Sequence, residues 1–341
     1  MPVYACGANL HGQLPSVDQL QLHAPQLLPN CSSLVAASWS QLVVCDIAGH
    51  LQLHGLPLPR DVDLASVACF LGQDSFEAGL LTDGRIERFS YGVRTEERYN
   101  LASINGKGEV LVVPVDAPQE SHLYPSLSAL FEPTTSPLIL SLPPSASAES
   151  INSLSAGAAH FLVLSSPSES LYAWGDNRYG QCGPVPPTSL APVAGGGAKA
   201  VLPRVEFFDG LFPTSIECGS FHSAVTTRDG SAYVFGSDKD GQLGIGGAGG
   251  GSEPALLEVA GEEGGAVKKV AYGAAHTAVL TEQGEVWVAG ANHDGQLGLS
   301  DFTPRSSFIR LALPPLSPSS SSPTRISRIL CTRSTTYIEV P

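Results

Sequence analysis

Hydrophobic positions in this chain come in short runs that end at glycine or at a polar turn. The pattern is clearest from Val270 to Gly298, VAYGAAHTAVLTEQGEVWVAGANHDGQLG. VAYG ends in glycine, TAVLT and EVWVAG are joined by the polar EQG, and the loop ANHDGQLG follows. Runs of this length, rich in β-branched and aromatic residues and punctuated by glycine, predict three short strands with tight turns. So small a unit cannot cover both faces of its own sheet, so the pattern is expected to recur.

It recurs at Ile216–Gly244, IECGSFHSAVTTRDGSAYVFGSDKDGQLG, and at Ile151–Gly183, INSLSAGAAHFLVLSSPSESLYAWGDNRYGQCG. Gly157, Gly219 and Gly273 correspond, and each is followed three residues later by a histidine: His160, His222 and His276. Gly175, Gly236 and Gly290 correspond after the third run. Equivalent glycines lie 62 and 54 residues apart, a period of propeller-like repeat folds.

Weaker copies fill the first part of the chain. Val35–Gly55 has Ser38 at the glycine position and Gln41 at the histidine position. Val67–Phe89 has Ser75 in place of the histidine, and Asn100–Val113 keeps two runs around the turn GKGEV. The first residues, VYACGANLHGQLP, match only the last part of the unit, and the strands they lack appear at the other end as ILCTRSTTYIEV. One blade is therefore expected to be shared between residues 1–14 and 326–341, closing a ring and removing an open sheet edge. The count is seven. The expectation is an all-β, seven-bladed β-propeller forming a single domain over residues 1–341. Segments rich in proline, serine or glycine, at about 117–150, 194–198, 246–251 and 314–323, are expected to be flexible loops.

Composition narrows the function. Charged residues make up 15% of the chain and the net charge is −14, with no lysine/arginine block. An acidic surface repels phosphate backbones, so direct DNA binding is not expected. No apolar run is long enough to span a bilayer. The seven cysteines form no C-x-x-C pair, which suggests free thiols in the cytosol or nucleus and no zinc site.

The combination of G-x-x-H, a glycine turn, V/Y-x-x-G and x-G-Q-L-G resembles the regulator-of-chromosome-condensation repeat family, whose members form seven-bladed propellers. The resemblance is strong over Ile151–Gly183, Ile216–Gly244 and Val270–Gly298 and weak from Val67 to Val113. The compact layout that starts with VYACGAN and ends with STTYIEV is similar to the family's fungal alpha-tubulin-suppressor and killer-toxin-insensitivity branch. That likeness implies a heterodimer with a small zinc-binding protein of diphthamide synthesis and a role in Elongator-dependent modification of tRNA wobble uridines. It also implies a cytoplasmic protein, with the nucleus as a second compartment. Animal single-propeller members share the layout, including a segment like ASWS at Ala37–Ser40. They imply a chromatin-associated adaptor for a hydroxylase or demethylase-type enzyme. The founding member implies a third reading, nucleotide exchange on a Ran-like GTPase.

No residue constellation points to catalysis. The three histidines lie on different copies without a carboxylate or cysteine at ligand spacing, so they read as neutral imidazoles bridging backbone groups, not as metal ligands. GGAGGG at Gly246–Gly251 lacks the lysine and serine or threonine of a phosphate loop. There is no nucleophile elbow. Trp174 and Trp287 fall within strands and read as packing between blades. Asp176, Asp238, Asp240 and Asp294 read as turn residues. No cofactor, metal or catalytic residue is expected. Residues that bind a partner should lie where the copies differ. After the repeat glycine stand Ala158, Ser220 and Ala274, but Trp39 and Arg333 occupy this position in the first and shared blades; one residue further on, Asp74 and Phe221 replace small residues. Tryptophan and arginine are favoured at the centres of interfaces. Trp39, Asp74, Phe221 and Arg333 are thus the expected partner-binding residues.

Overall fold

The structure, a computed structural model, describes residues 2–14, 19–146, 148–185, 198–247, 249–259, 265–314 and 326–341. Its strands form seven sheets around a central channel. Blade I contains Cys31–Ala37, Gln41–Asp46 and Leu51–Gly55. Blade II contains Val67–Leu71, Ala78–Leu81, Ile86–Arg88 and Val93–Arg94, and blade III contains Tyr99–Ile104, Val110–Pro114, Glu120–Tyr124 and Leu138–Ser141. Blade IV is Ser150–Ala156, His160–Ser166 and Leu171–Gly175. Blades V and VI have four strands each, from Pro213–Cys218 to Gly251–Leu256 and from Val267–Tyr272 to Arg305–Arg310. Blade VII joins Arg328–Thr332 and Thr335–Glu339 to Val3–Ala8 and Gln21–Leu28. No helix among the described residues is long and apolar enough to cross a membrane.

The core is divided into seven apolar clusters, one at each junction between blades. Alternating residues of a strand point to opposite faces, so each second strand serves two junctions. Val279 packs between blades V and VI, while Ala278 and Leu280 pack between VI and VII. Phe161 and Val163 likewise face blade III, and Leu162 and Leu164 face blade V. Two buried faces explain why the sequence shows continuous apolar runs there and not an alternating pattern.

The expected closure is present. Val3 lies opposite Glu339 and Gly7 opposite Thr335 in an antiparallel pairing, and Gln21–Leu28 adds the outermost strand to the shared blade. A polar clamp joins this blade to blade I. Where pairing within blade I slips next to Leu34, its N–H donates to Glu339 Oε2 at 2.9 Å and its carbonyl accepts from Arg328 Nη1 at 2.5 Å.

The segment 117–150 differs from expectation. It supplies the third and fourth strands of blade III, with a short helix, Leu127–Leu130, capped by Ser126 between them. The turn GKGEV joins the first and second strands of this blade, not the second and third. Proline and serine flank these strands closely, and that composition hides runs of only a few residues. The parallel addition of Lys199–Val201 extends the sheet further. Of the other expected loops, 194–197 and 315–323 lie outside the described residues, and in 246–251 the last glycine begins the strand Gly251–Leu256.

The clamp on Leu34 carries a prediction. Glu339→Ala leaves a buried N–H unsatisfied, which costs about 1–3 kcal/mol. The denaturant midpoint should fall accordingly with an unchanged slope; an unaltered midpoint would show that the clamp does not hold the ring closed.

Candidate functional site

Antiparallel strands place the turns between first and second strands, and those between third and fourth strands, on one face of the ring. The G-x-x-H segments lie on this face and fix its shape. His160, His222 and His276 are fully buried. His160 Nε2 lies 3.0 Å from Ser223 Oγ in the next blade, and Ser223 donates back to the Gln181 carbonyl at 2.8 Å. His276 meets Thr336 at 3.0 Å, and Thr336 donates to the Gln296 carbonyl at 2.7 Å. His222 meets Thr277 at 3.5 Å, and Thr277 donates to the Gln242 carbonyl at 2.5 Å. The hydroxyl proton goes to the carbonyl, so each imidazole donates from Nε2. Sequence reasoning anticipated neutral bridging histidines; the bridge runs through a hydroxyl on the neighbouring blade. Burial pushes His160 down to about 4 and His222 and His276 down to about 3. The glycine three residues earlier is required by the same packing. A Cβ on Gly157, Gly219 or Gly273 would collide with the histidine ring of its own blade and a backbone carbonyl of the next.

The G-Q-L-G loops on the same face are held by a repeated set of internal hydrogen bonds. Asn9, Asn177, Asp238 and Asn292 each accept, through Oδ1, from the backbone N–H five residues later, at 2.8–2.9 Å. Gln13, Gln181, Gln242 and Gln296 each accept from the N–H two residues earlier. Asp176 pairs with Arg178, and Asp294 accepts from Gln21. These aspartates do the work of turns. Trp174 packs in the core between blades III and IV, and Trp287 packs against that between V and VI.

At the channel mouth the blades are linked by a circle of backbone hydrogen bonds. Ala158 donates to Ser220, Ser220 to Ala274 and Ala274 to Arg333, at 2.9, 3.3 and 3.1 Å. Gly106 donates to Gly157, and Trp39 to Gln73, both at 3.0 Å. Side chains serve at the remaining junctions. Between blades II and III Gln73 Nε2 donates to the Ile104 carbonyl at 3.5 Å, and it also reaches the Gly157 carbonyl of blade IV at 2.9 Å. Between blades VII and I the Arg333 guanidinium lies 4.6 Å from the centre of the Trp39 ring, and its Nη1 is 3.4 Å from Asp74 Oδ1. The His11 ring lies 5.0 Å from that of Trp39 and nearly perpendicular to it. The cluster borders a cavity of about 630 Å³ in the channel, also lined by Glu77 and Lys107.

Three of the expected partner-binding residues, Trp39, Asp74 and Arg333, therefore form one cluster across three blades. Phe221 does not join it. Its ring meets that of Tyr179 in a T-shaped contact at 5.3 Å, in a separate groove over blades IV and V. Tyr179 was missed in the sequence, although a signal exists: it occupies the position held by Asp240 and Asp294 in the other clear copies. The Arg333–Asp74 pair is more than half exposed on both sides, so in isolation it adds little to stability. The Arg333 guanidinium, resting over the partly buried Trp39 ring, instead offers a cation to whatever covers the mouth. Among the described residues no group of histidine, cysteine and carboxylate side chains is placed to hold a metal ion.

Residues 151–181, 214–242 and 267–296 match the Regulator of chromosome condensation (RCC1) repeat, and a second form of that repeat matches 168–226 and 229–280. The chain is 39% identical over 150 residues to the X-linked retinitis pigmentosa GTPase regulator homolog of Caenorhabditis elegans, covering 43% of this chain and 10% of that protein. It is 31% identical over 158 residues to the ultraviolet-B receptor UVR8 of Arabidopsis thaliana, covering 46% of this chain and 33% of that one. The matches thus span a small part of these relatives. Over whole chains, the fold is similar to that of Prp20p from Saccharomyces cerevisiae, with a TM-score of 0.73 at 16% identity, covering 99% and 91% of the two chains. Human WBSCR16 gives a TM-score of 0.70 at 14% identity over 99% and 98%.

The buried histidines predict an acid-sensitive ring. They are neutral when folded but take up protons below their ordinary value near 6.5 when unfolded, so stability is present above that pH and is lost as pH falls toward 4. Each pKa unit is worth roughly 1.4 kcal/mol. Glu217 and Asp238, raised by burial, act in the opposite sense. The melting temperature should drop between pH 6.5 and 4 and the drop should be smaller in His276→Gln. An equal profile in both proteins would contradict the assignment.

Proposed function

We propose that this chain, which carries regulator-of-chromosome-condensation repeats over residues 151–296, is a noncatalytic scaffold holding a partner protein over the channel mouth. The observation that carries this reading is the Trp39–Arg333–Asp74 cluster. Where the regular blades present alanine or serine, this junction presents a stacked cation, an aromatic surface and an exposed carboxylate. Such residues dominate binding when an interface excludes water around them. The partner proposed is a small zinc-containing protein of diphthamide synthesis, in a heterodimer supporting Elongator-dependent wobble-uridine modification. This rests on the likeness to the alpha-tubulin-suppressor branch. The chain's net charge of −14 favours an arrangement in which the partner, and not the propeller, holds the RNA. The proposed location is the cytoplasm, with the nucleus as a second compartment.

A second reading is exchange of nucleotide on a Ran-like GTPase, supported by the whole-chain likeness to Prp20p, a protein described together with its binding to Gsp1p and histones. The two readings separate in one experiment. The tagged chain is captured from its own cell lysate and its stoichiometric companion identified by mass. A small zinc protein is expected, and Trp39→Ala and Arg333→Ala should each weaken its binding by about 2 kcal/mol, roughly thirtyfold. Val115→Ala, on the opposite face, should leave it unchanged. Capture of a small GTPase whose nucleotide release is accelerated would support the second reading and overturn the first.

A further inference from the structure

Among the described residues blade I has three strands and no fourth. In blades V and VI the third strand carries a fourth on its outer side. Val234 and Gly236 pair with Ala255 and Gly251, and Val288 and Gly290 pair with Ile309 and Arg305. Leu53 and Gly55 hold the corresponding places in blade I, but Leu51–Gly55 is the last strand of its sheet. After Gly55 the chain leaves through LPLPRD toward blade II, where Leu58, Val62 and Leu64 pack against the core at that junction. Blade IV also has three strands, but an isolated bridge from Tyr172 to Arg204 and backbone bonds from Ala173 and Val205 cover its third. Among the described residues no backbone group pairs with the outer side of Leu51–Gly55.

The hydrogen-bond alternation shows what is left open. Asp46 donates to His50 and Leu56 donates to Ser40, so Gln52 and His54 also face the strand 41–46. The backbone groups of Leu51, Leu53 and Gly55 point outward. The outermost strands of the other blades carry the features that discourage pairing: Pro25 in VII, Arg94 in II, Lys199 in III, Pro203 and Arg204 in IV, Glu253 and Pro254 in V, Arg305 and Arg310 in VI. LQLHG has neither proline nor a formal charge at neutral pH. An open edge without such protection is a template for another strand.

We propose that this edge accepts an extended peptide of a partner protein, which pairs antiparallel with Leu51–Gly55 and completes blade I. The occupant is a single strand and not a second propeller, because the edge is set back by about one strand spacing, roughly 4.8 Å, from where its fourth strand would lie. Its chemistry follows from the two faces. Leu53 faces the apolar junction with blade II, so the peptide residues opposite Leu51 and Leu53 are apolar. Those opposite Gln52 and His54 are polar. The peptide contains no proline at positions that must bond. This site lies on the rim, away from the channel mouth, and stands or falls independently of the scaffold reading.

The test uses the whole chain and a blocked peptide of alternating valine and threonine, with amide exchange read by NMR. In the free protein the amides of Leu51, Leu53 and Gly55 should exchange rapidly while those of Gln52 and His54 are protected. Added peptide should slow the first set at least tenfold, and a proline-containing copy should not. Leu51→Pro removes an outward donor at the start of the strand, where no ladder bond is lost; it should weaken peptide binding at least tenfold. Slow exchange at the outward amides before peptide is added, or peptide binding that leaves them unprotected, would overturn the proposal. So would self-association of the chain through this strand.

Discussion

Burial of each second strand on both faces is the constraint from which the rest of the molecule follows. A strand such as His276–Thr281 has no face to offer to water, so neighbouring blades must cover it on both sides. That requirement accounts for the ring, for its closure by Val3–Ala8 and Thr335–Glu339, and for the division of the core into one cluster per junction. It also places a polar problem at the top of each strand, where backbone groups of adjacent blades meet in an apolar setting.

The chain solves that problem in two ways. From blade IV to blade VII a histidine, a hydroxyl and a glutamine carbonyl repeat the same bridge, and the preceding glycine makes room for it. Elsewhere the solution is individual. Gln41 accepts from Phe76 of blade II at 2.5 Å, and Thr335, at the histidine position of blade VII, donates within its own blade to the Ala8 carbonyl at 2.9 Å. The irregular half of the ring is where Trp39, Arg333 and Asp74 meet and where, among the described residues, blade I has no fourth strand. Regularity serves the fold, and the departures from it leave the chemistry that a partner can read.

Much of this was legible in the sequence because the repeat encodes the buried strands. Gly157, Gly219, Gly273 and their histidines marked the junctions, and comparison of copies singled out Trp39, Arg333 and Asp74. The outer strands were not legible. Arg305–Arg310 has a single buried residue, Phe308, so it carries almost no hydrophobic code. Glu120–Tyr124 and Leu138–Ser141 are short and set among prolines and serines, a composition that reads as loop. Phe221 was grouped with the wrong neighbours because its place in the repeat gives the face but not the distance around the ring. Tyr179, its actual neighbour, lies in a different turn of the preceding blade.

The central claim is that the partner covers the mouth on the side of blades VII, I and II. Amide exchange of the chain, alone and in the complex recovered from cells, tests it most directly. The account predicts slowed exchange in 38–40, 72–77 and 332–334 with no change in the turns of the opposite face at 46–50, 82–85 and 228–231. Protection confined to those opposite turns would contradict it.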